Sequence, residues 1–262
     1  METKMEKMTG ADLLIFSGQS NMEGETEARP ADNAPIEHAA EYRYLTDSLL
    51  PLRHPVGEFI DTDGNPLTDG HPSALLGAYL GNANMVPSFC RAYIRETGNP
   101  AVAVHAAKGP TRAKEWLPDG PSGKILFQKA AAAIRKVQPA RVLFVWLQGE
   151  SDQIAGASRE EYETTLRTLC DALKQELHIE TFAVIRVGRF TGTEKDEPIL
   201  EAQRRLCRED PNFTMLTEAI DELWNQPQYM NPASPGHLSC AGQEKIGEIA
   251  GTALGQWMKN RT

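Results

Sequence analysis

The sequence has no long apolar run of the kind that enters or crosses a membrane. The first strongly apolar stretch, residues 13–16, holds four large apolar side chains, whereas a membrane-spanning helix needs about 20. The N-terminal region also lacks the hydrophobic core of a secretory signal. We therefore expect a soluble, cytoplasmic protein that does not bind membranes.

Cysteine is scarce, and the four cysteines are far apart. They lie at positions 90, 170, 207 and 240, without a Cys-x-x-Cys pair. Zinc sites draw on closely spaced pairs of cysteine or histidine. We expect four reduced thiols that act as small apolar side chains, and no metal site.

The sequence is also short of basic residues. It has 27 Lys and Arg against 36 Asp and Glu, a net charge of -9. Proteins that bind nucleic acid present clustered cations to the phosphates, so we expect no nucleic-acid partner. The composition, 40% hydrophobic and 24% charged, is typical of globular proteins.

Flexible linkers are missing as well, because no stretch of Gly, Pro, Ser or like charges is long enough to form one. A chain of 262 residues can form one large domain or two small ones. We predict a single domain over 1–262, because the candidate catalytic residues come from opposite ends of the chain.

Short apolar segments alternate with amphipathic ones along the sequence. The predicted strands are residues 12–16, 101–105, 141–147, 181–187 and 213–217. The predicted helices are residues 88–97, 123–137, 158–177, 197–208 and 240–258. This alternation indicates an α/β fold with a mostly parallel, five-stranded sheet covered on both faces. Such sheets bind ligands at the carboxyl ends of their strands.

Residues 25–87 differ from the rest, since they are rich in Pro, Gly, Asn and Asp and show little periodicity. We expect a long, loop-rich insertion. Long structureless loops in compact domains are commonly functional, so we expect this one to form part of the wall of the substrate site.

Three short motifs carry the candidate chemistry. They are Phe-Ser-Gly-Gln-Ser-Asn-Met-Glu-Gly at 16–24, Trp-Leu-Gln-Gly-Glu-Ser-Asp at 146–152 and Gly-His-Leu-Ser at 236–239. Ser20 follows a predicted strand directly, which places its hydroxyl at the ligand-binding edge. A serine hydroxyl is a weak nucleophile until a neighbouring imidazole takes its proton, and His237 is the candidate base.

These motifs resemble those of the SGNH hydrolases. The similarity is greatest to the sialate O-acetylesterase and acetylxylan esterase group, carbohydrate esterase family six. The resemblance implies a three-layer α/β/α sandwich with a flavodoxin-like sheet, a small acetylated carbohydrate as substrate and no cofactor. It also implies Ser20 as nucleophile and His237 as base. The oxyanion would be held by the amides of Ser20 and Gly109 and the side chain of Gln148.

The sequence departs from the family pattern at two positions. Pro110 follows Gly109 where the family usually has a second glycine, which removes one backbone donor. Ser234 lies three residues before His237, where the family usually has an aspartate. The group that orients the histidine is then Ser234 itself, a backbone carbonyl, water, or a distant carboxylate. The distant carboxylates that we consider are Glu150, Asp152 and Asp221.

Glu150 has two interpretations: it accepts a hydrogen bond from the His237 ring, or it is a structural carboxylate at a helix start. Asn21, Arg112 and Trp116 are the candidate substrate-binding residues. The leading hypothesis is a serine esterase that removes acetyl groups from a carbohydrate. The alternatives are a non-catalytic or weakly active carbohydrate-binding relative and an esterase for a broader range of small acyl groups.

Overall fold

A computed structural model describes residues 8–58, 60 and 83–261 and shows one seven-stranded sheet in the order β3-β2-β4-β1-β5-β6-β7. The strands are β1 (Asp12–Gly18), β2 (Ala39–Arg43), β3 (Ser48–Pro51), β4 (Ala101–Ala107), β5 (Arg141–Leu147), β6 (Phe182–Ile185) and β7 (Phe213–Thr217). Neighbouring strands are parallel except for β2 and β3, which are antiparallel.

Helices connect and cover these strands. They are α1 (Ser20–Glu23), α2 (Val86–Thr97), α3 (Pro121–Val137), α4 (Glu150–Ala155), α5 (Arg159–Leu177), α6 (Glu197–Glu209), α7 (Ile220–Trp224) and α8 (Cys240–Lys259). Short 3-10 turns span Ala113–Trp116 and Pro227–Tyr229. In the described ranges, no helix is both long and apolar enough to span a bilayer.

The central strand β1 pairs with β4 on one side and β5 on the other. All seven of its residues are buried, as expected for a strand that is covered on both faces of a parallel sheet. Gly18 at its end lies opposite Ala107 and Leu147. The three strands therefore end at the same level, and the loops that follow them emerge side by side.

The α/β class and the mostly parallel sheet are confirmed, but the predicted strand count of five is wrong. The two further strands, β2 and β3, come from the segment for which we expected a loop-rich insertion. They are short, and β2 buries Glu41 among its apolar residues, so no clear alternation marks it. Glu41 is accommodated by an ion pair to Arg43 (3.0 Å) and a bond from the Gly57 amide (2.8 Å). Within the predicted insertion, residues 59 and 61–82 lie outside the described residues.

Helix α8 is held close to α2 by glycines at a spacing of four residues. A Cβ atom at Gly247 would overlap Ser88, and one at Gly251 would overlap the carbonyl of Phe89. Helix α8 begins after Ser239, whose hydroxyl accepts a bond from the Gly242 amide (3.2 Å). Since α8 starts three residues after His237, the packing of α8 on α2 helps to place the histidine.

This close approach predicts that Gly251→Ala destabilises the protein, although alanine is the better helix former by about 1 kcal/mol. The added methyl group meets backbone, and overpacking typically costs about 1–3 kcal/mol. Denaturant unfolding measures the change. The control is Gln256→Ala on the exposed side of the same helix, for which we expect a change within about 0.5 kcal/mol. An equal or higher stability of Gly251→Ala would contradict the tight helix contact.

Candidate active site

Ser20 is the first residue of α1 and lies just beyond the end of β1. The turn that exposes it depends on Gly18, which has a φ of 147° and whose Cβ would overlap the carbonyl of Leu147. Gly109, in the loop after β4, approaches equally closely, because a Cβ there would lie 2.5 Å from the Ser20 Cβ and 2.6 Å from its backbone nitrogen. Both glycines are therefore required by close backbone packing.

His237 lies in the loop before α8, and its Nε2 is 2.8 Å from the Ser20 Oγ. The fold thus brings together the two residues that the sequence predicts as nucleophile and base. The loop is held by a bond from the Asn231 amide to the His237 carbonyl (2.8 Å) and by a bridge between Met230 and Leu238. The ring of Phe190 packs edge-on beside the imidazole, with 6.3 Å between ring centroids.

The other ring nitrogen of His237, Nδ1, lies 2.9 Å from the Ser234 Oγ. The Ser234 hydroxyl lies 3.1 Å from the Glu25 Oε2, to which it donates. The same Glu25 oxygen is 3.4 Å from the His237 Nε2. Sequence reasoning missed Glu25 because no motif includes it. The one available signal was its position, five residues after Ser20.

Asn21 links α4 to the histidine loop, the segment 230–239 before α8, through hydrogen bonds. Its side chain donates to the Glu150 Oε1 (2.9 Å) and the Gly236 carbonyl (3.3 Å), and it accepts from the Leu238 amide (3.0 Å). Its own carbonyl accepts from the Gln243 side chain (2.8 Å). Asn21 is buried, with 1% of its surface exposed. Its role as a substrate contact stays a prediction, and the bonds that it makes here are all to protein groups.

Glu150 is buried as the first residue of α4. Burial raises the pKa of this carboxyl, and the bond from Asn21 opposes the rise. Its Oε2 has no hydrogen-bond partner among the described residues. The His237 ring bonds to Ser20 and Ser234 instead. The geometry thus favours the structural interpretation of Glu150 over a direct bond to the imidazole.

Asp152 and Asp221 are engaged elsewhere. Asp152 accepts from the Ala113 amide (2.9 Å) and the Arg112 Nε (3.2 Å). Asp221 pairs with Arg186 and accepts from the Arg189 amide (3.1 Å). Neither carboxylate is a hydrogen-bond partner of the His237 ring, whose nitrogens bond to Ser20 and Ser234.

Gln148 is fully buried in the loop after β5. Its Nε2 lies 2.9 Å from the Thr111 carbonyl, 2.6 Å from Asp152 and 3.2 Å from the Gln19 Oε1. Its Oε1 accepts from the Tyr162 hydroxyl (3.2 Å). An amide nitrogen has two hydrogens, and here three protein acceptors surround them. The predicted role in the oxyanion hole would require one of these bonds to be released.

The Gly109 amide donates to the Glu23 Oε2 at 2.7 Å. Glu23 is half-buried, and burial raises its pKa to about 7, against the opposing effects of the Gly109 bond and Lys108. Sequence reasoning missed Glu23, although it lies within the first motif. The Gly109 amide that is predicted to bind the oxyanion therefore donates its hydrogen bond to a carboxyl group.

Arg112 and Trp116, the other predicted substrate contacts, are both committed to protein partners. Arg112 pairs with Asp152 (3.2 Å) and Glu161 (3.5 Å). Trp116 is 1% exposed, stacks edge-on against Trp146 and donates its ring N–H to Thr111 (3.0 Å). The ring of Trp116 lies in the core, which favours a packing role, and its contact with a sugar stays a prediction.

The described part of the chain contains no cluster of three or more His, Cys, Asp or Glu side chains that could hold a metal ion. The four cysteines are free. Around Ser20 the structure places its hydroxyl, an imidazole within hydrogen-bond distance and a carboxylate that bonds to Ser234. Such a set of groups can support nucleophilic catalysis by a serine.

The sequence matches the family described as carbohydrate esterase, sialic acid-specific acetylesterase over residues 10–256. The chain belongs to this carbohydrate esterase family. No curated protein matches the sequence significantly. Membership in the family agrees with the resemblance that the three motifs carry.

Solved structures resemble this carbohydrate esterase over nearly its whole length. A protein from Arabidopsis thaliana has 20% identity and a TM-score of 0.68, covering 95% of this chain and 98% of its own. NanS has 14% identity and a TM-score of 0.64, with coverages of 95% and 98%. A carbohydrate acetylesterase from Xanthomonas citri has 15% identity and a TM-score of 0.55, covering 93% of this chain and 55% of its own. At these identities the similarity establishes the SGNH-type fold.

The raised pKa of Glu23 predicts a pH dependence of stability. Its carboxyl titrates near pH 7 in the folded protein, against an ordinary value of 4.5. Between these values the folded protein holds a proton that the unfolded chain has lost. The free energy of unfolding should therefore fall as pH rises, relative to Glu23→Gln, by at most about 1.4 kcal/mol per pH unit. Above about pH 7 the difference should level off.

Urea unfolding at several pH values from 4.5 to 8 measures this difference. Glu27→Gln replaces an exposed acid four residues further along the chain and is the matched control, with a profile parallel to that of the wild type. Parallel profiles for wild type and Glu23→Gln would contradict a raised pKa at Glu23.

Proposed function

We propose that this protein is a serine esterase that removes O-acetyl groups from a carbohydrate, with Ser20 as nucleophile and His237 as general base. One observation carries the proposal. In a chain that belongs to a carbohydrate esterase family, the Ser20 Oγ lies 2.8 Å from the His237 Nε2. Both groups lie at the edge where the carboxyl ends of parallel strands meet, which is the usual ligand site of such sheets.

The reaction begins when the His237 Nε2 takes the Ser20 proton and the Oγ attacks the acetyl carbonyl. The resulting tetrahedral intermediate collapses to an acetyl-serine as His237 protonates the leaving sugar oxygen. Water, activated by the same nitrogen, then attacks the acetyl group and restores the serine. Each step moves one proton through Nε2, the ring atom that faces Ser20.

Backbone and side-chain donors stabilise the oxyanion in this proposal. The amides of Ser20 and Gly109 and the side chain of Gln148 are the expected donors. Since the Gly109 amide holds Glu23, the proposal includes displacement of the Glu23 carboxyl by the substrate carbonyl. One oxyanion donor is typically worth about 100- to 1,000-fold in turnover. The turnover number therefore depends strongly on whether the substrate carbonyl displaces Glu23 from the Gly109 amide.

The substrate class is argued from the relatives and from the polarity of the site. The family is described as sialic acid-specific, and the relative from Xanthomonas citri as a carbohydrate acetylesterase. Charged side chains lie close to the site: Glu23 accepts from the Gly109 amide and interacts with Lys108, and Glu25 lies beside the His237 ring. This polarity favours a short acyl group on a polar alcohol. We propose acetylated sugars of the sialate or acetylxylan type.

Two observations favour a second candidate, a carbohydrate-binding relative with little or no activity. Glu23 occupies the Gly109 amide, and the Gln148 amide is committed to protein acceptors. Both would weaken oxyanion binding if they persisted with substrate bound. Ester hydrolysis that depends on Ser20 would exclude this candidate.

The test measures acetate release from 4-nitrophenyl acetate, acetylated xylo-oligosaccharides and O-acetylated sialic acid. We expect Ser20→Ala to lose more than about 1,000-fold of the wild-type rate, because the nucleophile is removed. The matched control is Ser17→Ala, which lies three residues away and whose buried hydroxyl makes no hydrogen bond to the described residues. It should stay within about threefold of the wild-type rate, because removing an unpaired hydroxyl loses no bond.

The panel also includes butyryl and octanoyl esters. Comparable rates for acetyl and butyryl groups would indicate the broader small-acyl esterase. Silence of the wild type on every ester, with sugar binding by calorimetry, would reject catalysis in favour of the binding relative.

A further inference from the structure

Four side chains form a continuous hydrogen-bonded row behind the candidate nucleophile. The row runs from Ser20 to His237 (2.8 Å), from His237 to Ser234 (2.9 Å) and from Ser234 to Glu25 (3.1 Å). Glu25 comes from the segment after α1, whereas Ser234 and His237 come from the loop before α8. The row thus ends on a carboxylate although the usual aspartate position holds a serine.

The protons in this row can be counted. A carboxylate has no proton to give, and a serine hydroxyl has one. Because the Ser234 proton goes to Glu25, the Ser234 oxygen must accept from the His237 Nδ1–H. The Nε2 lone pair is then free to accept the Ser20 proton. This assignment of the tautomer follows from the bonding network, and it is the tautomer that a general base requires.

Glu25 also acts on the ring directly. Its Oε2 lies 3.4 Å from Nε2, and the two side chains are only 15% and 14% exposed. When Nε2 takes a proton the ring becomes a cation beside a carboxylate in a partly water-excluded site. Attraction between opposite charges is stronger there than in bulk water.

The two loops that carry this row are tied together by Asn231. Its side chain donates to the Glu25 carbonyl (2.7 Å), and its amide donates to the His237 carbonyl (2.8 Å). The Ser234 amide in turn donates to the Asn231 carbonyl (3.3 Å). The main chain at Glu25 is therefore held by an Asn231 side chain whose own backbone is bonded within the loop that carries the histidine.

We propose that Glu25 is the positioning carboxylate of the site and acts through Ser234 in place of the missing aspartate. It keeps His237 in the tautomer that accepts the Ser20 proton and stabilises the imidazolium that follows. Among the described carboxylates, Glu25 contacts both Ser234 and the ring, whereas Glu150, Asp152 and Asp221 bond to other groups. The catalytic part of this proposal rests on the proposed esterase function, but the tautomer part does not.

The test compares wild type with Glu25→Gln, Ser234→Asp and the double variant Glu25→Gln/Ser234→Asp. A glutamine amide can donate to Ser234, so the hydroxyl proton can turn toward Nδ1 and favour the wrong tautomer. In serine proteases that error costs about 10,000-fold, and across this longer relay we expect about 10- to 1,000-fold in kcat with KM within about threefold.

The double variant returns a carboxylate to the usual family position, where it can accept directly from Nδ1–H. It should recover at least about tenfold of the rate that Glu25→Gln loses, because the tautomer is again set by an acceptor-only group. The matched control is Glu27→Gln, an exposed acid two residues away that bonds to the Cys240 amide (3.1 Å). It should leave kcat within about threefold of wild type, as is usual for surface changes.

A second readout does not depend on activity. Long-range 1H–15N spectra of the histidine-labelled protein, recorded where the ring is neutral, report which nitrogen holds the proton, and His237→Gln identifies the signal. We expect protonated Nδ1 in wild type and Glu27→Gln, a mixture in Glu25→Gln, and protonated Nδ1 again in the double variant. Circular dichroism checks that each variant is folded.

The possible results separate the two claims. An unchanged tautomer and rate in Glu25→Gln would overturn the proposal, as would a double variant that recovers neither. A wild type that hydrolyses no ester would overturn the esterase function, and the tautomer comparison would still decide the role of Glu25.

Discussion

The common level at which β1, β4 and β5 end is the constraint on which the site depends. Gly18, Ala107 and Leu147 lie side by side, so the loops after these strands start from one place. Parallel sheets of this kind are covered on both faces. The residues of β1 and its neighbours β4 and β5 are accordingly mostly buried. Residues more than a hundred positions apart in sequence thereby meet within hydrogen-bond distance.

Buried polar side chains then fix the loops relative to one another. Asn21 joins the histidine loop to α4, and Gln148 joins the loop after β4 to that after β5. An unpaired buried polar group costs more than a hydrogen bond gains, so these pairings specify one loop arrangement. The same pairing buries Asn21, and it engages the Gln148 donors that are predicted to bind the oxyanion.

Two acids, one at the end of α1 and one just after it, lie on either side of the candidate nucleophile. Glu23 lies on the side of the Gly109 amide, and Glu25 lies on the side of the histidine. One carboxyl competes with the predicted oxyanion, and the other supports the predicted base. The two departures of the sequence from its family, Pro110 and Ser234, therefore lie on opposite sides of Ser20. Glu23 bonds beside the first, to the Gly109 amide, and Glu25 bonds to the second.

The sequence alone determined the five core strands, the five longer helices and the pairing of Ser20 with His237. These follow from local apolar periodicity and from motifs whose spacing reflects the fold. Only the tertiary structure decided the contacts of Glu23, Glu25, Asn21 and Trp116, and it added β2 and β3 to the sheet. The physical reason is that these features depend on contacts between distant segments. A carboxylate, an amide or an indole looks the same in sequence whether it faces substrate, a backbone amide or the core.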